Sequence, residues 1–219
     1  MSGGYMGKIL FVDLSTGAIK EEALEEKMCR DFIGGYGIGA KILYTWQKAG
    51  VDPLGPENTL GLISGPLTGA PIPGAVRYTA VAKSPLTGGW GDANSGGDFG
   101  PYLKFAGFDA VFFTGISPKP VYLLIDEGKA QIKDAGHIWG KDTYETEDIL
   151  MEEYGKQSRV ACIGPSGEKL SLIAGIFNDH GSAAARSGLG AVMGSKKLKA
   201  VVARGQWKSQ SPIRLLPIT

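Results

Sequence analysis

The chain is 219 residues long, 43% hydrophobic and 21% charged, with a formal net charge of +1. That length can bury a sizeable core, as one large domain or two small lobes, while near-neutral charge argues against nucleic acid or an anionic membrane as a partner. Two cysteines exclude a disulfide framework and cannot complete a four-thiolate metal or iron–sulfur site.

No apolar run reaches the ~18 residues a membrane span needs, and no secretory pattern precedes Gly7, so the expected compartment is the cytoplasm. Gly7 to Lys20, GKILFVDLSTGAIK, reads as a hairpin turning at Ser15-Thr16-Gly17. Glu21 to Gly34 predicts a short amphipathic helix that contains Cys29, and Gly37 to Ala49 a second. Thr59 to Ser64 is an apolar strand, followed by a Pro/Gly loop to Gly74 and an alternating strand at Arg77 to Ala82. Tyr102 to Ala106 suits a short helix, Asp109 to Gly115 a buried strand, and Lys119 to Asp134 a hairpin turning at Asp126-Glu127-Gly128. Thr143 to Tyr154 is an acidic helix with Asp142 or Thr143 as N-cap. Arg159 to Ile163, Leu170 to Ile176 and Leu198 to Ala203 read as strands, with Cys162 a buried, inert thiol in the first. Ala183 to Ser195 is a Gly/Ala-rich turn leading into a short helix.

The two halves of the chain resemble each other. Each opens with a glycine-turned hairpin, continues to a charged helix and later carries an apolar strand ending in Gly-Pro, Leu62 to Pro66 and Ala161 to Pro165. Both also hold a Gly-X-Gly-Ala segment, at Gly37 and Gly188, although its place within each half differs. These matches point to an internally duplicated α+β unit.

Lys83 to Lys104, KSPLTGGWGDANSGGDFGPYLK, holds six glycines and two prolines and shows neither helical nor strand period. A loop of that length in a compact domain carries function or disorder. Glycine backbone approaches a ligand closely, and successive N–H groups can form an anion-binding concavity. The segment therefore suggests a phosphate held by main chain, with Asn94 and Ser95 as side-chain donors and Arg77 as counter-charge. Ser182 to Gly188 has a similar character: small side chains, an arginine fork at Arg186 and a following helix start. Gly34 to Gly39 lacks the preceding strand and the glycine spacing of a dinucleotide fingerprint, and reads as a tight turn between helices. Gly164 to Lys169 lacks the Gly-Lys-Ser/Thr ending of a P-loop and reads as a hairpin turn. His137 and His180 have no ligand-spaced partner.

Arg77-Tyr78, Lys83 to Gly88, Ala93 to Gly97, Leu103 to Asp109 and Gly188 to Lys196 together resemble the tungsten-containing aldehyde ferredoxin oxidoreductases, in order, from about Tyr5 to Gly205. The resemblance implies the N-terminal domain of that family: a duplicated α+β unit with two mixed or antiparallel sheets, residues 1–205, in halves of about 1–115 and 116–205. In such enzymes this domain forms a base beneath a tungsten, or molybdenum, ion held by two molybdopterins. The full enzyme oxidises aldehydes to carboxylic acids and passes electrons through an iron–sulfur cluster to ferredoxin. The implied pterin contacts fall on Arg77, Asn94, Gly96, Ala183 and Arg186, with Ser182 and Ala185 beside them. The family usually has arginine where this chain has Ser182 and glycine where it has Ala185. Losing one fork removes a charge-assisted bond of about 1.5–3 kcal/mol.

The family's cluster cysteines and the helical domains that enclose the cofactor lie beyond this domain. The resemblance thus implies a cofactor-binding unit that is not active alone, completed by a C-terminal partner chain bearing the cluster cysteines. Its alternatives are a non-catalytic assembly subunit of a split enzyme and a folded remnant without activity. Residues 206–219 do not resemble the family's continuation; they look like a truncated or frame-shifted end and are expected to be poorly ordered.

Overall fold

The computed structural model describes residues 3–206. The first half builds one mixed sheet. β1 (Lys8–Asp13) and β2 (Ala18–Ala23) form the expected hairpin, and α1 (Glu26–Phe32) and α2 (Tyr36–Trp46) follow. Then come β3 (Leu60–Ser64), β4 (Tyr78–Lys83), β5 (Trp90–Ser95), α3 (Phe99–Phe105) and β6 (Ala110–Thr114). The strand order is β2-β1-β6-β3-β4-β5, with β1 parallel to β6 and every other pair antiparallel.

The second half contains β7 (Val121–Asp126), β8 (Lys129–Asp134), α4 (Thr143–Tyr154), β9 (Ser158–Cys162) and α5 (Pro165–Glu168). It closes with β10 (Ile176–Asn178), β11 (Ser182–Ala184), α6 (Leu189–Ser195) and β12 (Leu198–Arg204). Read from its hairpin edge, this sheet runs β8-β7-β12-β9-β10-β11, again with one parallel pair, β7 with β12. Order and strand senses are those of the first sheet, so the fold is a duplicated α+β unit. The Gly-Pro motifs sit just after the equivalent strands β3 and β9. The Gly-X-Gly-Ala segments do not correspond: one lies in α2, whereas the other opens α6, whose counterpart is α3.

Strand alternation explains the layering. Leu10, Val12, Leu60, Leu62, Val111 and Phe113 of the first sheet face Leu123, Ile125, Ala161, Val201 and Ala203 of the second across one shared core, which α3 and α6 join through Phe99, Leu103, Leu189 and Met193. The opposite face of the first sheet packs Ile63, Val81 and Phe112 on Ile38 and Ile42 of α2. The outer face of the second packs Tyr122, Val160, Cys162 and Val202 against Leu150 of α4. Strands buried on both faces read as continuous apolar runs, as β3 does.

Several sequence expectations change. The glycine-rich stretch is not one long loop: residues 90–95 form β5, paired with β4 from Tyr78↔Ser95 to Lys83↔Trp90, and α3 starts at Phe99. Residues 18–23 continue the hairpin, so the first helix starts at Glu26. Of the strand expected at Leu170 to Ile176 only Ile176 is extended, and Leu170, Leu172 and Ile173 are exposed. Residues 165–168 form a helical turn opened by Pro165 instead of a hairpin turn. Asp142 is the N-cap of α4, in a reciprocal capping box with Glu145. The atypical tail, apart from Gln206, lies outside the described residues.

Candidate functional site

β5 and β11 are equivalent edge strands of the two sheets, and they lie alongside each other. Between them opens a cavity of about 340 Å³ whose lining includes Asp92, Asn94, Ala183, Ala185, Arg186 and, from the start of α2, Tyr36. Four residues singled out in the sequence thus meet at one place: Asn94, Ala183, Ala185 and Arg186. Asn94 accepts a hydrogen bond from Thr79 Oγ1 at 2.7 Å on its Oδ1. Its amide nitrogen has no partner among the described residues and is free to donate. Arg186 is exposed, and its guanidinium has no partner among the described residues.

The other expected residues are placed differently. Arg77 directly precedes β4, is exposed, and also lacks a side-chain partner among the described residues. It does not line the cavity; by strand alternation it falls on the face of Thr79, the residue that holds Asn94. Ser95 is fully buried, and its hydroxyl donates to Asn178 Oδ1 at 2.6 Å, away from the cavity. Gly96 is half-buried with open space above its Cα, and its carbonyl accepts from Asn178 Nδ2 at 2.9 Å. The N–H groups of Gly96, Gly97 and Arg186 find no partner among the described residues. Ser182 pairs with Asn178 in the β10–β11 hairpin, one step out of phase with Ala183 and Ala185.

The loops at the two strand ends are held by groups that sequence reading did not single out. Asp179 Oδ2 accepts from the Asp98 N–H at 2.7 Å, and Arg159 bridges Asp98 and Asp179 at 3.1 and 3.4 Å. Arg159 also lies over the Tyr102 ring at 4.5 Å. Gly97 has φ +76°, and a Cβ there would collide with Asp179 and Asn178, so glycine is required twice over. On the β11 side, Ser187 Oγ donates to the Asp92 carbonyl at 3.1 Å, and Ser84 Oγ donates to the Ser187 carbonyl at 2.8 Å. Asp179 and His180, both at positive φ, lie in the turn between β10 and β11.

Two further features border the site. Glu147 of α4 is buried, accepts from the His180 N–H at 3.0 Å, and leaves Oε1 without a partner among the described residues. Burial pushes its carboxyl up to about 7, partly offset by the His180 contacts. A second cavity of about 430 Å³ shares Ala185 and Arg186 and is flanked by Leu86, Thr87 and Ile173, of which Leu86 and Ile173 are exposed. A larger opening of about 730 Å³, between α2 and Trp90, contains none of the expected residues. Cys29 and Cys162 belong to different cores on opposite sides of the molecule's shared centre. Among the described residues no helix is long and apolar enough to cross a membrane.

Residues 9–205 match the family described as aldehyde ferredoxin oxidoreductase, N-terminal domain. The chain is 48% identical over 203 residues to a tungsten-containing aldehyde ferredoxin oxidoreductase of Pyrococcus horikoshii, covering 92% of this chain and 33% of that protein. It is 38% identical to the aliphatic sulfonate oxidoreductase, WOR-like subunit, of Pyrococcus furiosus, covering 92% of this chain and 34% of that protein. Among solved structures, the active site complex BamBC of benzoyl coenzyme A reductase with 1,5-dienoyl-CoA superposes with a TM-score of 0.91 at 40% identity, over 94% of this chain and 32% of the other. The chain therefore spans about a third of the length of these relatives.

Proposed function

The chain belongs to the aldehyde ferredoxin oxidoreductase N-terminal domain family, and on that premise we propose that it is the cofactor-binding part of a tungsten enzyme of this type. The β5–β11 cavity is its seat for the phosphate-bearing end of a molybdopterin. One observation carries the reading: the Arg186 guanidinium and the Asn94 amide line a single opening, and neither has a partner among the described residues. Polar groups left unpaired beside a cavity are the expected state of a site that meets an anion.

The residues present fit a metallopterin. Arg186 offers a fork for phosphate oxygens, Gly96, with open space above its Cα, and Gly97 offer peptide N–H groups on the adjoining loop, and Asn94 adds a directed donor. Asp92, whose Oδ1 accepts from the Trp90 indole at 2.8 Å, keeps its second oxygen for the N–H edge of a pterin ring. Arg77, on the Thr79 face, is a second phosphate cation. Ala183 leaves the cavity wall small, while Ala185 places a methyl where the family usually has none. Ser182 contributes no cation, so the charge rests on Arg186 and Arg77.

When bound, the metallopterin supplies the two-electron chemistry that converts an aldehyde to a carboxylic acid. This chain's residues bind and orient it. Iron–sulfur ligation, the substrate channel and the ferredoxin contact would come from the portion that corresponds to the remaining two thirds of the relatives, and the compartment would be the cytoplasm. A non-catalytic role in a multi-chain assembly is the second reading. It is favoured by exposed Leu86 and Ile173 at the mouth of the cavity beside Arg186.

Titration of the 219-residue chain with inorganic diphosphate, followed by amide NMR, tests the site. Shifts at Gly96, Gly97, the Asn94 side chain and Arg186 are expected. Shifts confined to other surfaces, or none, would overturn it.

A further inference from the structure

Asn178 has no contact with the cavity, yet it is tied to both sides of it. It is fully buried at the end of β10, and all of its side-chain polar atoms are engaged. Oδ1 accepts from Ser95 Oγ at 2.6 Å and from the Tyr78 hydroxyl at 3.4 Å, both in the first sheet. Nδ2 donates to the Gly96 carbonyl at 2.9 Å and to Asp179 Oδ2 at 2.6 Å. Asp179 in turn accepts the Asp98 N–H. Three consecutive loop positions, 96 to 98, are thus fixed by two consecutive residues of the other half of the molecule.

The orientation matters. Gly96 is gripped by its carbonyl and Asp98 by its N–H, and both grips come from the Asn178–Asp179 side. The Gly97 N–H lies between these two grips and the Gly96 N–H just before them, and neither has a partner among the described residues. Because the Gly96 carbonyl and the Gly97 N–H belong to one planar trans peptide, gripping the carbonyl turns that N–H away from Asn178. Gly97 has room for no side chain against the pair.

We propose that Asn178, with Asp179, is the positioning residue of the cofactor site: it sets the 96–98 loop so that the Gly96 and Gly97 amides are presented as a preformed donor pair. The proposal rests on the cofactor reading of the cavity, and it adds a device by which one half of the duplicated fold orders the ligand loop of the other. A preformed loop binds more tightly because its ordering cost is met before the ligand arrives.

The test compares the full chain with Asn178→Ala, Asn178→Asp and, as a control, Val160→Ala, which thins the outer core of the second sheet and touches nothing in the loop. Two quantities are read: hydrogen exchange at Asp98, whose N–H is held by Asp179, and affinity for inorganic diphosphate. Asn178→Asp keeps the acceptor for Ser95 and Tyr78 but loses the donor to Gly96. Both Asn178 variants are expected to speed exchange at Asp98 at least tenfold and to weaken diphosphate binding about tenfold. Val160→Ala should lower Tm without moving either quantity. Unchanged loop exchange in both Asn178 variants would overturn the proposal, as would faster exchange with undiminished diphosphate affinity. If the unmodified chain binds no diphosphate, the cofactor reading falls and the positioning role falls with it; equal diphosphate affinity in the unmodified chain and both variants overturns the positioning role alone. Should Asn178→Ala fail to fold, Asn178→Asp decides.

Discussion

The side chains of Arg186 and Arg77 are exposed and make no hydrogen bond or ion pair with a described residue, so their removal should leave the fold intact and act on ligand binding alone. Arg186→Ala is expected to weaken diphosphate binding roughly ten- to hundredfold, in line with about 1.5–3 kcal/mol for a charge-assisted bond. The Tm should stay within the scatter of a surface substitution; a large fall in Tm would show the side chain to be structural. Gly97→Ala should behave in the opposite way. With φ at +76° and Asp179 in the path of a Cβ, it should cost about 1–3 kcal/mol in chemical denaturation. Glu147 gives a pH signature. Burial raises its carboxyl from 4.5 to about 7, so between those values the folded chain binds more protons than the unfolded chain. Stability from this group is therefore fully present below pH 4.5 and declines as pH rises through 7. Glu147→Gln should remove that decline, gaining on the parent chain at pH 8 relative to pH 5. A variant whose pH dependence parallels the parent's would contradict the assignment.

Among elements, α3 carries a buried charge. Lys104, fully buried near its end, donates to the carbonyls of Gly4 and Gly65, each at 2.5 Å, and stands 3.9 Å from buried Asp109. Burial pulls its ammonium down to about 8, which the Asp109 carboxylate opposes. Lys104→Met would leave those carbonyls and Asp109 without their cation, at a cost of about 3–5 kcal/mol by chemical denaturation. A loss under about 1 kcal/mol would mean that water replaces the ammonium. The elements readable from sequence were those in which pattern and packing agree. α4 shows its cap box and acidic first turn, and β3 and β6 show unbroken apolar runs. β5 was not readable, because Gly91, Asp92, Asn94 and Ser95 are poor strand formers and the strand exists through its register with β4. Leu170 to Ile173 misled in the other direction: an apolar run with strand-like content lies exposed beside the second cavity.

At the scale of the whole molecule, one unit occurs twice, and the candidate site lies where the edge strands β5 and β11 of the two copies come together. The Gly-Pro strand ends and the glycine-turned hairpins made the repetition visible in the sequence, whereas the Gly-X-Gly-Ala match was accidental in position. Site legibility divided along the same line. Residues facing the cavity, such as Asn94, Ala183 and Arg186, carried a local glycine- and alanine-rich signature. Those that fix the loops, Asn178, Asp179 and Arg159, act across the seam between the halves and leave no local pattern. The central claim is that Arg186 and Arg77, with the amides of the glycine loop, hold a metallopterin by its phosphate. The direct measurement is pterin and tungsten content of the purified chain after supply of both, compared with the Arg77→Ala/Arg186→Ala double variant. The account predicts retention by the parent chain and loss by a double variant of unchanged Tm; equal retention by the two, or none by the parent, would contradict it.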